Sequence, residues 1–179
     1  MPLHFCGYLP KRVTARPPDY DLPGVQEIAS VSNCIAKGVE IDVWRLNELG
    51  FLNDVGLAES FVPQTCATEF DVYGYRLLDE RFKKGSAEAW TVPQLGCAPP
   101  GAEFERLGFD AVSKFPSNFF ECSPLSCNGA ARVVRANAYC LLDSLEEAVV
   151  AAKDFSAGPW EPGTYYIAEV LRRRRRTSR

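Results

Sequence analysis

The sequence predicts an α+β fold: a single domain with one mixed or antiparallel sheet and two to three helices packed mainly on one face. Three observations lead to this prediction. The chain has 179 residues, which suits one domain with a sizeable core. A capped amphipathic helix and a nearly continuous apolar strand follow each other close to the C-terminus. Elsewhere strand and helix patterns do not alternate steadily, as they would in a doubly wound sheet.

We expect this domain to cover residues 1–171. It begins with an irregular arm over residues 1–24, where scattered prolines oppose regular structure. Residues 172–179 are predicted to form a disordered basic tail. The N-terminus lacks the basic and apolar regions of a secretory signal, and no apolar run approaches the length of a membrane helix. We therefore expect a cytoplasmic protein with no membrane contact.

Hydrophobic periodicity predicts the elements of the first half. Apolar residues at 3.6-residue spacing predict a helix over residues 25–36. Alternating apolar and polar residues then predict a strand over residues 39–43. Short helical turns are expected within residues 45–62, where Gly50 and Gly56 interrupt the apolar pattern.

The middle of the chain is rich in aromatic residues. Alternation predicts a strand over residues 70–75, and a short helix is expected over residues 77–82. A connection rich in glycine and proline follows over residues 92–101, and long connections of this kind are often functional or loosely ordered. Two short strands are then predicted over residues 109–113 and 118–122.

The clearest local signals lie near the C-terminus. A further short strand is expected over residues 139–142. The segment Ser144-Leu145-Glu146-Glu147 matches a capping box and starts an amphipathic helix that ends at Gly158. Residues 164–171 form the last predicted strand, which is apolar on both faces apart from Glu169. This pattern predicts a central position in the sheet.

The net charge of −3 hides an uneven distribution. The last eight residues contain six arginines and no acid, so the other 171 residues carry 14 basic and 23 acidic side chains, a net charge of −9. An acidic body argues against binding of a phosphate backbone by that body. Nucleic-acid binding through the arginine-rich tail is an alternative.

The seven cysteines favour a reduced, intracellular chain. Cys122, Cys127 and Cys140 are the candidates for a metal site, but their spacing lacks the Cys-x-x-Cys pairs typical of structural zinc. A fourth ligand would have to come from elsewhere in the chain: Cys97, Cys66 or His4. We therefore expect no metal and no cofactor, with these cysteines packed inward.

An enzymatic alternative rests on three residues. Glu169 on an apolar strand needs a partner or a raised pKa, and Arg45 and Arg76 are candidate partners. Glu121 could act with Glu169 as acid and base, and Cys127 lies in a tight turn that could expose a nucleophile. The common phosphate-binding and hydrolase motifs are absent from the sequence.

The leading hypothesis is a protein-binding module. Trp160 and Glu161 lie in a rigid turn, and Trp44 falls on the polar side of its predicted strand. Tryptophan beside an acid is a plausible interface anchor. Together with the acidic body, these residues predict an inhibitor-like or immunity-like protein that binds a basic protein partner. The sequence does not predict the oligomeric state.

Overall fold

An antiparallel sheet forms the centre of the protein. The computed structural model describes residues 2–16, 22–35, 37–64, 69–114 and 120–174. In these ranges the strands are β1 (Leu3–Arg12), β2 (Thr14–Ala15), β3 (Glu27–Ile28), β4 (Phe70–Lys83), β5 (Ser86–Ala89), β6 (Phe104–Lys114), β7 (Phe120–Cys122) and β8 (Thr164–Arg173). The α-helices are α1 (Val55–Ser60), α2 (Pro124–Cys127) and α3 (Leu145–Ala157). None of the described helices has the length and hydrophobicity that a bilayer crossing requires.

The main sheet has the order β1-β4-β8-β6-β7, with β5 paired to β4. Strand β8 pairs with β4 on one side and with β6 on the other, and all its neighbours run antiparallel. Seven consecutive residues of β8, from Tyr165 to Leu171, are buried. Burial of both faces explains the nearly continuous apolar run, and the predicted central strand is confirmed.

The predicted C-terminal helix is also confirmed as α3. The hydroxyl of Ser144 accepts a hydrogen bond from the Glu147 N–H, and the Glu147 carboxylate accepts from the Ser144 N–H. This capping box satisfies donors that the first helical turn leaves free. Buried alanines and Phe155 place α3 against β8, β6 and β4, whereas α1 contacts β1 and β4. The α+β class is confirmed, but packing of the helices mainly on one face is not.

The predicted helix over residues 25–36 is wrong for residues 25–35, and Ala36 lies outside the described residues. In its place, β3 pairs with β2, and the chain continues through a series of bends. The Lys11 ammonium donates to the backbone carbonyls of Ser30, Val31 and Ser32, three acceptors that a helix would occupy internally. Long-range hydrogen bonds therefore override the apolar periodicity of this segment.

Other local predictions fail for a similar reason. The predicted helix over residues 77–82 belongs to the long strand β4, which lies between β1 and β8 and has most of its apolar side chains buried. Residues 39–43 form no strand, and residues 139–142 form a turn with a single bridge, from Leu142 to Phe109. The predicted irregular arm contains strand β1. For β1 and β4, pairing with distant strands decides the local conformation.

The sheet contains a structural repeat that is not visible in the sequence. In each half, an outer strand pairs with a central strand, and the register shifts beside a glycine. Gly7 faces Tyr75 in the first half, and Gly108 faces Val170 in the second. Tyr75 and Val170 pair with each other at the centre. The two halves are thus related by a pseudo-twofold axis at this central pair.

The turn before the helix in each half uses the same hydrogen bonds. One asparagine oxygen accepts two backbone N–H groups of its own turn, and the amide donates to the carbonyl just before the glycine. These bonds join Asn47 to Leu49, Phe51 and Cys6, and Asn137 to Tyr139, Leu141 and Leu107. The equivalent positions Gly50 and Cys140 have positive φ angles of 84° and 60°. The repeat therefore gives Cys140 a structural place in a turn.

Candidate functional site

Three thiols meet beside the edge strand β7. The Sγ atoms of Cys34, Cys122 and Cys127 all lie within 4.8 Å of one another. Cys122 ends β7 and Cys127 ends α2, whereas Cys34 comes from the bent segment after β3. Cys34 is exposed, Cys127 is half-buried and Cys122 is buried. The cluster is thus assembled from two distant parts of the chain and is open to solvent on one side.

The backbone carbonyl of Glu121 joins these two parts. The Ser32 hydroxyl donates to this oxygen at 2.9 Å, and the Cys34 thiol donates to it at 2.8 Å. Ser32 Oγ also lies 3.8 Å from Cys127 Sγ. The bent segment is therefore fastened directly to the strand that carries Cys122.

Asp110 forms a second, fully buried connection between the same parts. Its Oδ2 accepts from the Ser30 hydroxyl at 2.6 Å and from the Val31 N–H at 3.1 Å, and its Oδ1 accepts from the Ser123 hydroxyl at 2.6 Å. Burial raises the pKa of Asp110, and these three hydrogen bonds oppose that rise. A single carboxylate on β6 thus positions both thiol-bearing segments.

Lys11 also supports the bent segment. This residue is 1 % exposed, and its ammonium donates to three consecutive carbonyls, those of Ser30, Val31 and Ser32, at 2.6, 3.0 and 2.6 Å. Burial lowers the pKa of Lys11 to about 7, while the charge of Asp110 acts to raise it. All three ammonium protons have acceptors, which is the condition for burying such a group.

Proximity gives the three thiols different acidities. The hydrogen bond from the Cys122 thiol lowers the pKa of Cys127 to about 6, and burial opposes this effect. The pKa of Cys122 is raised by that same interaction and by burial. Burial also raises the pKa of Cys34. Cys127 is therefore the thiol that ionises first, and the thiolate is the form of cysteine that attacks electrophiles and binds metals.

The structure brings together only two of the three predicted metal candidates. Cys122 and Cys127 belong to the thiol cluster, but Cys140 is buried in the core beside α3, and Cys34 takes its place. Of the possible fourth ligands, Cys97 bonds to Asn53 and to the Cys6 carbonyl. His4 lies on β1, and Cys66 is outside the described residues.

The buried Glu169 carboxylate forms an ion pair with Arg76, one of its two predicted partners, whose side chain is partly exposed. Arg76 Nη1 lies 2.9 Å from Glu169 Oε2, and the Glu169 side chain is 6 % exposed. Glu169 pairs with Phe109 across β6 and β8, whereas Asp110 pairs with Ala168. Since side chains alternate along a strand, Glu169 and Asp110 point to opposite faces of the sheet. Glu169 is thus separated from the carboxylate that holds the thiol segments.

We expect Arg76→Met to lower the free energy of unfolding by about 1–3 kcal/mol, because it leaves the Glu169 carboxylate buried without its cation. Chemical denaturation of both proteins at pH 7 measures this difference. The double variant Arg76→Met, Glu169→Gln should recover part of the loss. A double variant no more stable than Arg76→Met would contradict the assigned ion pair.

An exposed apolar ridge lies on the 3-10 turn that follows Cys34 in the chain. We call Val43, Trp44 and Arg45, with Phe61 beside them, the Trp44 ridge. Val43 is 62 % exposed and Trp44 is 75 % exposed, on a 3-10 turn. The Arg45 guanidinium lies 4.4 Å from the centre of the Trp44 ring and 5.6 Å from that of Phe61. This contact orders an otherwise unsupported indole.

Two depressions adjoin the Trp44 ridge. One is a groove of about 410 Å³ between the bent segment and the chain after it, with Val31, Asn33, Ile41, Leu46 and Phe51 among its walls. The other is a shallower depression lined by Glu40, Ile41, Asp42, Val43 and Phe61. A protruding tryptophan beside apolar hollows and exposed carboxylates is a typical arrangement for a protein-binding surface.

Trp160 and Glu161, the other predicted binding residues, are only half exposed. The Trp160 ring packs edge-on against Phe155 of α3, with centroids 5.6 Å apart. The Glu161 carbonyl accepts a hydrogen bond from the Tyr165 hydroxyl at 2.7 Å. Both contacts fix the turn before β8. A binding role for these two residues stays a prediction.

Three arginines assigned to the predicted tail form ion pairs with the body. Arg172 and Arg173 belong to β8, so this strand ends two residues later than predicted. All three arginines pair with acidic residues of the domain. Arg172 pairs with Glu27 and Glu105, Arg173 with Glu59, and Arg174 with Glu105. Residues 175–179 lie outside the described part of the chain.

In comparisons with known proteins, no protein-family model, no curated protein and no solved structure matches this chain. Function must therefore be inferred from the residues and their arrangement.

Proposed function

We propose that this protein is a binding module that recognises a basic protein partner through the Trp44 ridge. The observation that supports this most is the exposure of Val43 and Trp44 on an ordered turn. Removal of large apolar side chains from water by a partner lowers the free energy of the complex, and tryptophan is enriched among the residues that dominate binding energies. The neighbouring hollows offer space for apolar side chains of the partner.

Charge supports a basic partner. Residues 1–174, which include the three arginines paired with the body, carry 17 basic and 23 acidic side chains, a net charge of −6. Glu40 and Asp42 are exposed directly before the Trp44 ridge, and Glu48 is exposed shortly after it. Complementary charge increases the rate of association and disfavours acidic competitors. An inhibitor-like or immunity-like role toward a basic protein fits these properties.

We expect Trp44→Ala to weaken binding at least about 30-fold, equivalent to about 2 kcal/mol. Partners can be selected from a display library of protein fragments of the source organism, and their affinities then measured for wild type and variant. Val150→Ala is the matched control, because Val150 is 60 % exposed on α3, on a separate surface.

Selected fragments should be rich in lysine and arginine, bind the control variant like wild type, and associate more slowly as salt is added. If no fragment is enriched, or if the enriched fragments bind Trp44→Ala as tightly as wild type, the proposal is wrong. Thermal unfolding is the control for folding: Trp44→Ala should melt at about the same temperature as wild type, so that a loss of binding does not reflect a loss of fold.

A further inference from the structure

We propose that Cys34, Cys122 and Cys127 form a binding site for a thiophilic metal ion, Zn²⁺ or Cu⁺, coordinated by three thiolates. This site is separate from the Trp44 ridge. Thiolates are the ligands that these two ions prefer among protein side chains. The three sulfur atoms already lie within 4.8 Å of one another.

The spacing of the sulfur atoms is close to what coordination requires. A Zn–S bond of about 2.3 Å places tetrahedral sulfur ligands about 3.8 Å apart, and a trigonal arrangement places them about 4.0 Å apart. The cluster therefore has to contract by no more than about 1 Å. Rotation of the exposed Cys34 side chain can supply most of this movement, whereas Cys122 lies on a paired strand.

Hydrogen bonds around the cluster hold the three cysteines in position. Asp110 and the Glu121 carbonyl connect the segment of Cys34 to that of Cys122 and Cys127. Such outer contacts orient metal ligands and raise metal affinity. The Lys11 ammonium interacts electrostatically with Cys127 and Cys34. Thiolates at Cys127 and Cys34 raise the pKa of Lys11 and so favour its charged form, which offsets part of the negative charge of the site.

Zn²⁺ and Cu⁺ differ in whether they need a fourth ligand. Ser32 Oγ lies 3.8 Å from Cys127 Sγ, and Asn128 Oδ1 lies 3.9 Å from Cys122 Sγ. Either oxygen, or a water molecule reaching the exposed side, could complete a tetrahedron around Zn²⁺. Cu⁺ would need the three thiolates alone. The site thus accepts either ion, and direct titration distinguishes them.

The exposure of Cys34 distinguishes this cluster from ordinary core cysteines. Cys6 and Cys140 are buried among apolar side chains, in two different parts of the core. Cys34, in contrast, is exposed although it contacts two other thiols. Core packing does not explain an exposed thiol held at such a position by hydrogen bonds from a buried polar network.

The test uses the full-length chain, reduced and desalted without oxygen. Zn²⁺ and Cu⁺ are titrated separately in competition with a chromogenic chelator, and Co²⁺ is added as a spectroscopic probe of thiolate coordination. We expect one equivalent of Zn²⁺ or Cu⁺ to bind, with a thiolate-to-cobalt charge-transfer band. The variants Cys34→Ser, Cys122→Ser and Cys127→Ser should each lose more affinity than the roughly 10- to 100-fold that removal of an outer-shell partner costs.

Cys97→Ser is the matched control, because Cys97 is a half-buried free thiol outside the cluster. Cys34→Ser replaces an exposed thiol by a hydroxyl, so this variant should fold even if the other two do not. Sub-stoichiometric binding, or equal binding by Cys34→Ser and wild type, would overturn the proposal. A reduced chain that binds neither ion but forms a Cys122–Cys127 disulfide on exposure to air would also overturn it, in favour of a redox pair.

Discussion

Asp110→Ala is expected to lower the free energy of unfolding by about 3–5 kcal/mol. The substitution leaves the hydroxyls of Ser30 and Ser123 and the N–H of Val31 buried without their acceptor. It also removes the negative charge near the buried Lys11. Most domains are stable by only about 5–15 kcal/mol, so this single change should bring the protein close to unfolding.

Denaturant unfolding followed by circular dichroism measures this loss. Asp154→Ala is a suitable control, because Asp154 is exposed on α3 and its replacement should change the free energy of unfolding by less than about 0.5 kcal/mol. In a folded Asp110→Ala protein, the three clustered thiols should also react faster with a thiol reagent. Equal stability of Asp110→Ala and the control would contradict the role assigned to this carboxylate.

Gly108→Ala should be the second most damaging of the changes considered, with a loss of about 3 kcal/mol or more. Gly108 has a φ angle of +148°, which L-residues rarely adopt. An added Cβ would lie 2.6 Å from the Leu142 carbonyl oxygen and 2.9 Å from Asn137 Nδ2. It would therefore push the turn that precedes α3 away from β6.

The structural repeat provides a second test of the claim that a close backbone contact requires glycine at this position. Gly7 has a φ angle of +132°, and a Cβ there would lie 2.4 Å from the Leu52 carbonyl oxygen, so Gly7→Ala should cost about as much as Gly108→Ala. Gly96→Ala is the control, since Gly96 also has positive φ but no atom within 4 Å of an added Cβ. Similar melting temperatures for Gly96→Ala and Gly108→Ala would show that the close contacts carry no special cost.

Local signals were sufficient for two elements near the C-terminus. The capping box and the apolar stripe determine α3 from residues that are neighbours in sequence. The doubly buried β8 was predictable because it is apolar on both faces, and the pairing of its one acid with Arg76 was one of two alternatives. These features depend on short-range patterns or on a single strong requirement, the neutralisation of a buried charge.

The thiol cluster could not be predicted in the same way. Cys34 is far in sequence from Cys122 and Cys127, and the periodicity around it favours a helix that the structure does not have. The contact that fixes this segment was hidden as well: Lys11 falls in the predicted irregular arm, but the structure buries it on β1, where its ammonium requires acceptors. Its acceptors proved to be three carbonyls of the segment that leads to Cys34.

The repeat could not be detected from the sequence, because its two halves share backbone geometry but differ in most side chains. The two turns have an asparagine in common, but Gly50 in one corresponds to Cys140 in the other. Asparagine is selected by the hydrogen bonds that its side chain makes to its own turn. Two such positions among 179 residues do not stand out until the pairing of β4 with β8 relates them.

The central claim, that the Trp44 ridge is the surface that binds a basic partner, is tested most directly by hydrogen exchange. Amide exchange would be compared for the free protein and for its complex with a selected partner fragment. We predict that protection on binding is concentrated in residues 37–46 and 61–64, with α3 unchanged. Protection concentrated on α3 or around Trp160, with residues 37–46 exchanging as in the free protein, would contradict the claim.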